Sequence, residues 1–207
     1  MGSSRPTARP SVPAGQRVVE GNEIPYQPWA AKKKQENFEH RFTADPVAKC
    51  YLPGVPRATY MPFPFRIVQT PRYIMLVYEY AKAVRTVHMG EAKENPFPMW
   101  MGHSVGHWDG DTLVVDADDF TPDTWFDQAG NFHGDALHVT ERYTLMSPDY
   151  MTYEATIEDP TVFTRPWKIS MPLYRRQEKN IQLLEFNCIE FAEDMMYGQY
   201  YKQPPPK

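Results

Sequence analysis

Beyond Arg66 the apolar positions fall in short runs, several of them alternating with polar ones, and turn residues separate the runs. Alternation of this kind marks strands with one buried face. The runs are Arg66–Gln69, Tyr73–Tyr80, Val84–Met89, His103–Trp108, Thr112–Asp116, Leu137–Thr144, Met151–Glu158, Lys168–Leu173 and Ile181–Cys188, which predicts nine strands. Asp109-Gly110 between two of them signals a hairpin with a primed turn. Ser147-Pro148-Asp149 and Asp159-Pro160 supply further turns through a fixed φ or an Asx side-chain bond. The expected fold is all-β, an antiparallel sheet over residues 66–190, and nine strands suit a single lipocalin-like (calycin-like) β-barrel, with a sandwich as the other solution.

The flanks read differently. Residues 1–23 mix Pro6, Pro10 and Pro13 with Ser, Arg and Gly, a composition that predicts a flexible arm. Pro28 suits a first helical turn and the residues after it are good helix formers, so a helix is expected over about 28–40. Prolines at 46, 53, 56, 62 and 64 then exclude a central strand, and residues 24–65 read as that helix followed by an extended strap pinned by Tyr60, Met61, Phe63 and Phe65. Two longer segments, Gly90–Gly102 and Ala117–Ala136, break the strand rhythm and are rich in aromatics, which predicts ordered loops over one barrel mouth. Residues 191–207 form a C-terminal extension, with a short helix around 191–196 and polyproline II at the very end.

Composition narrows the function classes. A chain of 207 residues is enough for one well-filled domain. Twenty-one prolines against 11 glycines, with Tyr 13, Phe 11 and Trp 5, favour strands over helices. The net charge of -4 and the shortness of the basic runs argue against nucleic acid as a partner. No run approaches the length of a membrane-spanning helix, so no membrane association is expected. Cys50 and Cys188 either form one disulfide or remain reduced core thiols.

Several strings resemble a widespread bacterial family to which no activity attaches. They are Met61-Pro-Phe-Pro-Phe-Arg-Ile-Val-Gln-Thr-Pro71, Tyr78-Glu-Tyr80 with Arg85, and Trp100-Met-Gly-His-Ser-Val-Gly-His-Trp-Asp-Gly-Asp-Thr-Leu-Val-Val-Asp116. Further marks are Thr124-Trp-Phe-Asp127, His133-Gly-Asp-Ala-Leu-His-Val-Thr-Glu-Arg142, Tyr153-Glu-Ala-Thr-Ile-Glu-Asp-Pro160 and Thr164-Arg-Pro-Trp167. The resemblance spans roughly residues 24–190 and departs from the family pattern at Gly134, where relatives often carry Ser. Many relatives are exported, whereas Met1 to Gln16 has no apolar stretch; the expected location is the cytoplasm, with the periplasm as the alternative.

Four constellations carry candidate chemistry. His133 and Asp135 stand two residues apart, and a carboxylate beside an imidazole fixes its tautomer and raises its basicity, as a general base requires. Glu141 shares a strand face with Leu137, Val139 and Tyr143, so it points inward as a general acid or as half of a buried pair with Arg85 or Arg142. Tyr78, Tyr80, Arg85, Tyr143 and Tyr153 offer phenols and a guanidinium to orient a substrate, or pack as ordinary strand residues. Trp100 and Trp125 from the two loops, with His103 and His138, would complete the ligand-binding set. His103, His107, His133, Asp135 and His138 would also serve as metal ligands, but no recognised zinc string occurs and no metal is expected. Gly-rich phosphate loops are absent, and no cofactor is expected. The leading expectation is a cofactor-independent lyase, decarboxylating or eliminating across C–C or C–O bonds of an aromatic or hydrophobic substrate, with His133, Asp135 and Glu141 catalytic. The alternatives are a lipocalin-like small-molecule binder without catalysis, an isomerase or cyclase, and a metal-dependent hydrolase; the oligomeric state stays open.

Overall fold

A computed structural model describes residues 22–92 and 96–201. The expected arm before residue 22 and polyproline II after 201 lie outside the described residues.

Helix α1 (Pro28–Glu39) starts where the sequence places it, with proline at its first position and a Lys33–Glu36 ion pair of 3.3 Å one turn apart. The proline-rich stretch after it is not extended throughout. It winds through α2 (Arg41–Ala44), a 3-10 turn at Pro46–Lys49 and α3 (Arg57–Tyr60). Proline is tolerated at the start of such turns because its missing N–H has no helical partner there. Asp45 fastens this region: its carboxylate caps the amide of Val47 at 2.9 Å and accepts two hydrogen bonds from the Arg57 guanidinium, both 2.8 Å. Phe63 packs on Tyr80 and Phe65 on Tyr78 with tilted rings, while the Tyr60 hydroxyl donates to the Phe126 carbonyl at 2.7 Å.

Eight strands follow in one curled sheet that forms a half-barrel, hydrogen-bonded in chain order. They are β1 (Phe65–Gln69), β2 (Tyr73–Tyr78), β3 (Val84–Met89), β4 (His103–Asp109), β5 (Thr112–Asp118), β6 (His138–Ser147), β7 (Tyr150–Glu158) and β8 (Trp167–Tyr174). Alternation works as the sequence suggests: Ile74, Leu76 and Tyr78 of β2 and Val139, Glu141 and Tyr143 of β6 are buried while their neighbours are more accessible. The hairpin between β4 and β5 turns on Gly110 and Asp111, with Asp109 paired to Thr112 and Gly110 at φ +60°, as a primed turn requires.

Three expectations need correction. The sheet is not wholly antiparallel: β3 and β4 run parallel over two residue pairs, His88 with Val105 and Met89 with Gly106. The 13-residue Gly90–Gly102 connection is what allows this, because parallel neighbours need a crossover rather than a tight turn. Gly106 permits the close approach, since a Cβ there would meet Val87 Cγ1 at 2.7 Å. Next, Ile181–Cys188 is not a strand, and no ladder joins β1 to β8 among the described residues. That segment is held by other means. Leu184 N–H donates to Glu79 Oε2 at 2.7 Å, Phe186 packs on Tyr80 and Phe63, and Cys188 forms a disulfide with Cys50. Side-chain anchoring has replaced strand pairing, so the closed barrel of nine strands gives way to an open one of eight. The C-terminal helix forms where expected but runs on further, α4 (Ala192–Tyr201).

No helix of the described residues is long and apolar enough to cross a membrane.

Candidate functional site

On the concave face β6 presents Glu141 between Val139 and Tyr143, and register sets it beside Val115 of β5 and Ala155 of β7. It is 0% exposed. A bare carboxylate at such a position would be costly, and the structure supplies its partners. Arg85 of β3 approaches Glu141 Oε2 with Nη2 at 2.5 Å, and its Nε donates to Ser104 Oγ on β4 at 2.9 Å. The Tyr143 and Tyr153 hydroxyls both donate to Glu141 Oε1, at 3.0 and 2.7 Å. Burial opposes the charge on Arg85, but the Glu141 carboxylate more than offsets this and raises its pKa. Burial, reinforced by the Glu141 charge, pushes the Tyr143 and Tyr153 phenols well above their ordinary value. All three groups therefore stay protonated and act as donors around the Glu141 carboxyl group.

The cluster extends outward through Tyr78 and Thr59, whose hydroxyls lie 3.3 Å apart. Tyr78 is also raised above its ordinary value by burial. Arg85 Nη1 is fully buried and has no hydrogen-bond partner among the described residues. The Glu–Arg pairing anticipated as one alternative is thus present with Arg85; Arg142 instead meets the exposed Asp109 at 2.8 Å.

Thr59 also lines a cleft of about 600 Å³ that occupies the gap between β1 and β8. Its walls continue the concave face: Phe65 and Ile67 from β1, Leu145 from β6, Met151 from β7 and Leu173 from β8. Ile181 and Leu183 of the C-terminal segment add to the lining. Arg66, Arg175 and Arg176 line it as well, together with Asp149. The volume falls within the range of small-molecule sites. Comparison with family models, curated proteins and solved structures found no match to this chain.

The other predicted site residues do not converge on this cluster. His133 is buried, but its partner is not Asp135: Nε2 lies 2.6 Å from Thr124 Oγ1 and Nδ1 2.7 Å from the Gly134 carbonyl, while Asp135 is exposed. In the turn that precedes β6 the two side chains diverge. The carboxylate serving that turn is Asp159, which accepts from Gly134 N–H at 2.6 Å and from Thr161 Oγ1 at 2.6 Å. Burial lowers the pKa of His133, only partly countered by its bond to the Gly134 carbonyl and the charge of Asp159, and the ring packs against Phe126 and Phe120. Tyr80 donates to the Val47 carbonyl at 3.1 Å, an anchoring role. Trp100 packs on Tyr51 with ring centres 5.0 Å apart, and the Trp125 carbonyl accepts from Arg57 at 3.4 Å.

The histidines are dispersed too. His107 is exposed, and His138 lies 3.8 Å from Asp116. His103, Asp118 and Asp119 bring one ligand atom each within 4.8 Å of one another, a donor set suited to a divalent cation, but both carboxylates are exposed. Sequence reasoning missed Thr59, Thr124 and Asp159. Asp159 did carry a signal, as the first residue of an Asp-Pro-Thr turn; Thr59 lay in a proline-rich stretch with no periodicity to orient it.

Proposed function

We propose that the protein binds a small, largely apolar molecule in the cleft between β1 and β8. The observation carrying this reading is the cleft itself: about 600 Å³, walled by concave-face apolar residues, with Thr59 at its lining bonded to Tyr78 of the buried polar cluster. An apolar body would sit against Phe65, Met151 and Leu173, and an acceptor atom of the ligand would meet the Thr59 hydroxyl. Of the functions the sequence suggests, a lipocalin-like binder asks least of the remaining residues. Titration with the neutral fluorophore prodan tests it. One equivalent should bind, and Leu173→Trp, which fills the cleft, should abolish binding at an unchanged melting temperature. Absence of stoichiometric binding, or indifference to the tryptophan, would overturn the reading.

One observation favours a second reading, cofactor-independent lyase chemistry. Two phenols and a guanidinium converge on Glu141, and Tyr78, which feels the charges of Arg85 and Glu141, bonds to the cleft residue Thr59. In that case Tyr78 would be the proton donor to a substrate held at Thr59, with Arg85 stabilising developing negative charge. His133 and Asp135 would have no part as a pair. Loss of carbon dioxide from phenolic carboxylates, reduced about tenfold or more by Tyr78→Phe, is the outcome this reading requires.

A further inference from the structure

Register determines which backbone groups β1 leaves open. Glu79 N–H donates to the Pro64 carbonyl at 3.0 Å and Thr70 N–H to the Tyr73 carbonyl at 2.8 Å, so the even-numbered residues of the strand are those bonded to β2. The N–H and C=O groups of Phe65, Ile67 and Gln69 point the other way and meet no hydrogen-bond partner among the described residues. The cleft reaches this edge. Phe65 and Ile67 line it from the concave face, and so does Arg66 between them, whose side chain shares the outer face with Val68. Ile181, Gln182 and Leu183 border the cleft as well, yet none of them forms a backbone bond to β1. Across the gap the edge of β8 is different. Arg175 N–H donates to the Asp149 carbonyl at 2.8 Å, so the backbone groups of Lys168, Ser170, Pro172 and Tyr174 point to its free side, where Pro172 has no N–H to offer. Proline on an edge blocks the addition of a strand, and β1 carries none.

Resting on the binding reading above, we infer that the ligand is a short extended peptide, laid antiparallel along β1 as an added strand with its alternate apolar side chains in the cleft. The row of partial charges on β1, positive N–H alternating with negative C=O, is complemented by another extended backbone. The apolar wall beside that row suits side chains on every second residue of the same backbone. Peptide residues opposite Phe65 and Ile67 exchange both backbone bonds with them and turn their side chains to the same concave face, toward Met151 and Leu173.

Displacement of bound prodan by blocked pentapeptides that alternate leucine with threonine, beginning and ending on leucine, tests the inference. One peptide is unmodified, one is N-methylated at two leucines and one at both threonines, so the methylated pair are isomers of equal apolarity. With leucines in the cleft, their amides face β1 and the threonine amides face away. The unmodified and threonine-methylated peptides should displace prodan, and leucine methylation should weaken displacement at least about tenfold. Equal displacement by the two isomers, or none by any peptide, would overturn the inference while leaving the apolar cleft intact. Amide hydrogen exchange reads the same contact without prodan. Saturating unmodified peptide should slow exchange at Phe65 and Ile67 by about tenfold or more, and unchanged exchange there would also overturn it. Failure of prodan itself to bind would instead strike the binding reading.

Discussion

Glu141 holds its place through Arg85, Tyr143 and Tyr153, and removing either charge of the pair strands the other in the interior. Glu141→Ala is expected to cost about 3–5 kcal/mol in urea denaturation, whereas adding Arg85→Met to it should recover part of that loss because no unpaired charge remains. His133 supports a different measurement. Its folded pKa is depressed by burial, while in the unfolded chain it titrates at its ordinary value of 6.5. Below that pH the unfolded state takes up a proton that the folded state refuses, so the contribution is present above about pH 6.5 and is lost as pH falls through it. The melting temperature should drop between pH 7.5 and 5.5 by more in the parent than in His133→Gln. At this scale the sequence was informative wherever alternation set direction: Glu141, Tyr143 and Tyr153 face inward as their strands require. It misled at His133 and Asp135, because nearness along a turn does not set the direction of two side chains, and the carboxylate that serves that turn, Asp159, lies 25 residues further on.

At the level of elements, the parallel contact of β3 with β4 depends on Gly106. Gly106→Ala places a methyl 2.7 Å from Val87 and 3.2 Å from Met89 Sδ, and should destabilise by about 1–3 kcal/mol through overpacking. Calorimetry should find the loss larger than for Gly110→Ala, where a Cβ meets nothing within 4 Å and the cost is confined to the positive φ. The first eight strands were legible because each runs long enough to show its period or ends at a turn residue. The parallel contact was not, since two residue pairs leave no pattern in the chain. The apolar residues of Ile181–Cys188 suggest a strand, yet they serve ring packing at Phe186 and the cleft wall at Leu183, and no ladder forms there among the described residues.

For the molecule as a whole, an open half-barrel leaves its two sheet edges without strand partners among the described residues, and the disulfide fastens the C-terminal segment across this gap. Cys50 and Cys188 are 138 residues apart, so the cross-link removes much freedom from the unfolded chain. The Cys50→Ser, Cys188→Ser double variant should lose about 2–5 kcal/mol, read from urea midpoints under oxidising conditions, and a reducing agent should lower the parent to the same midpoint. Whether the two cysteines pair was the one covalent question the spacing left open, because their approach depends on the whole path of the sheet between them.

That bond has a topological consequence. All eight strands lie between its two ends, so the polypeptide from Cys50 to Cys188 is a closed ring. A protease that nicks the exposed bend at Ser147–Asp149 severs the backbone but not the molecule. The clipped form should migrate as a single species in denaturing electrophoresis and separate into two fragments only after dithiothreitol is added.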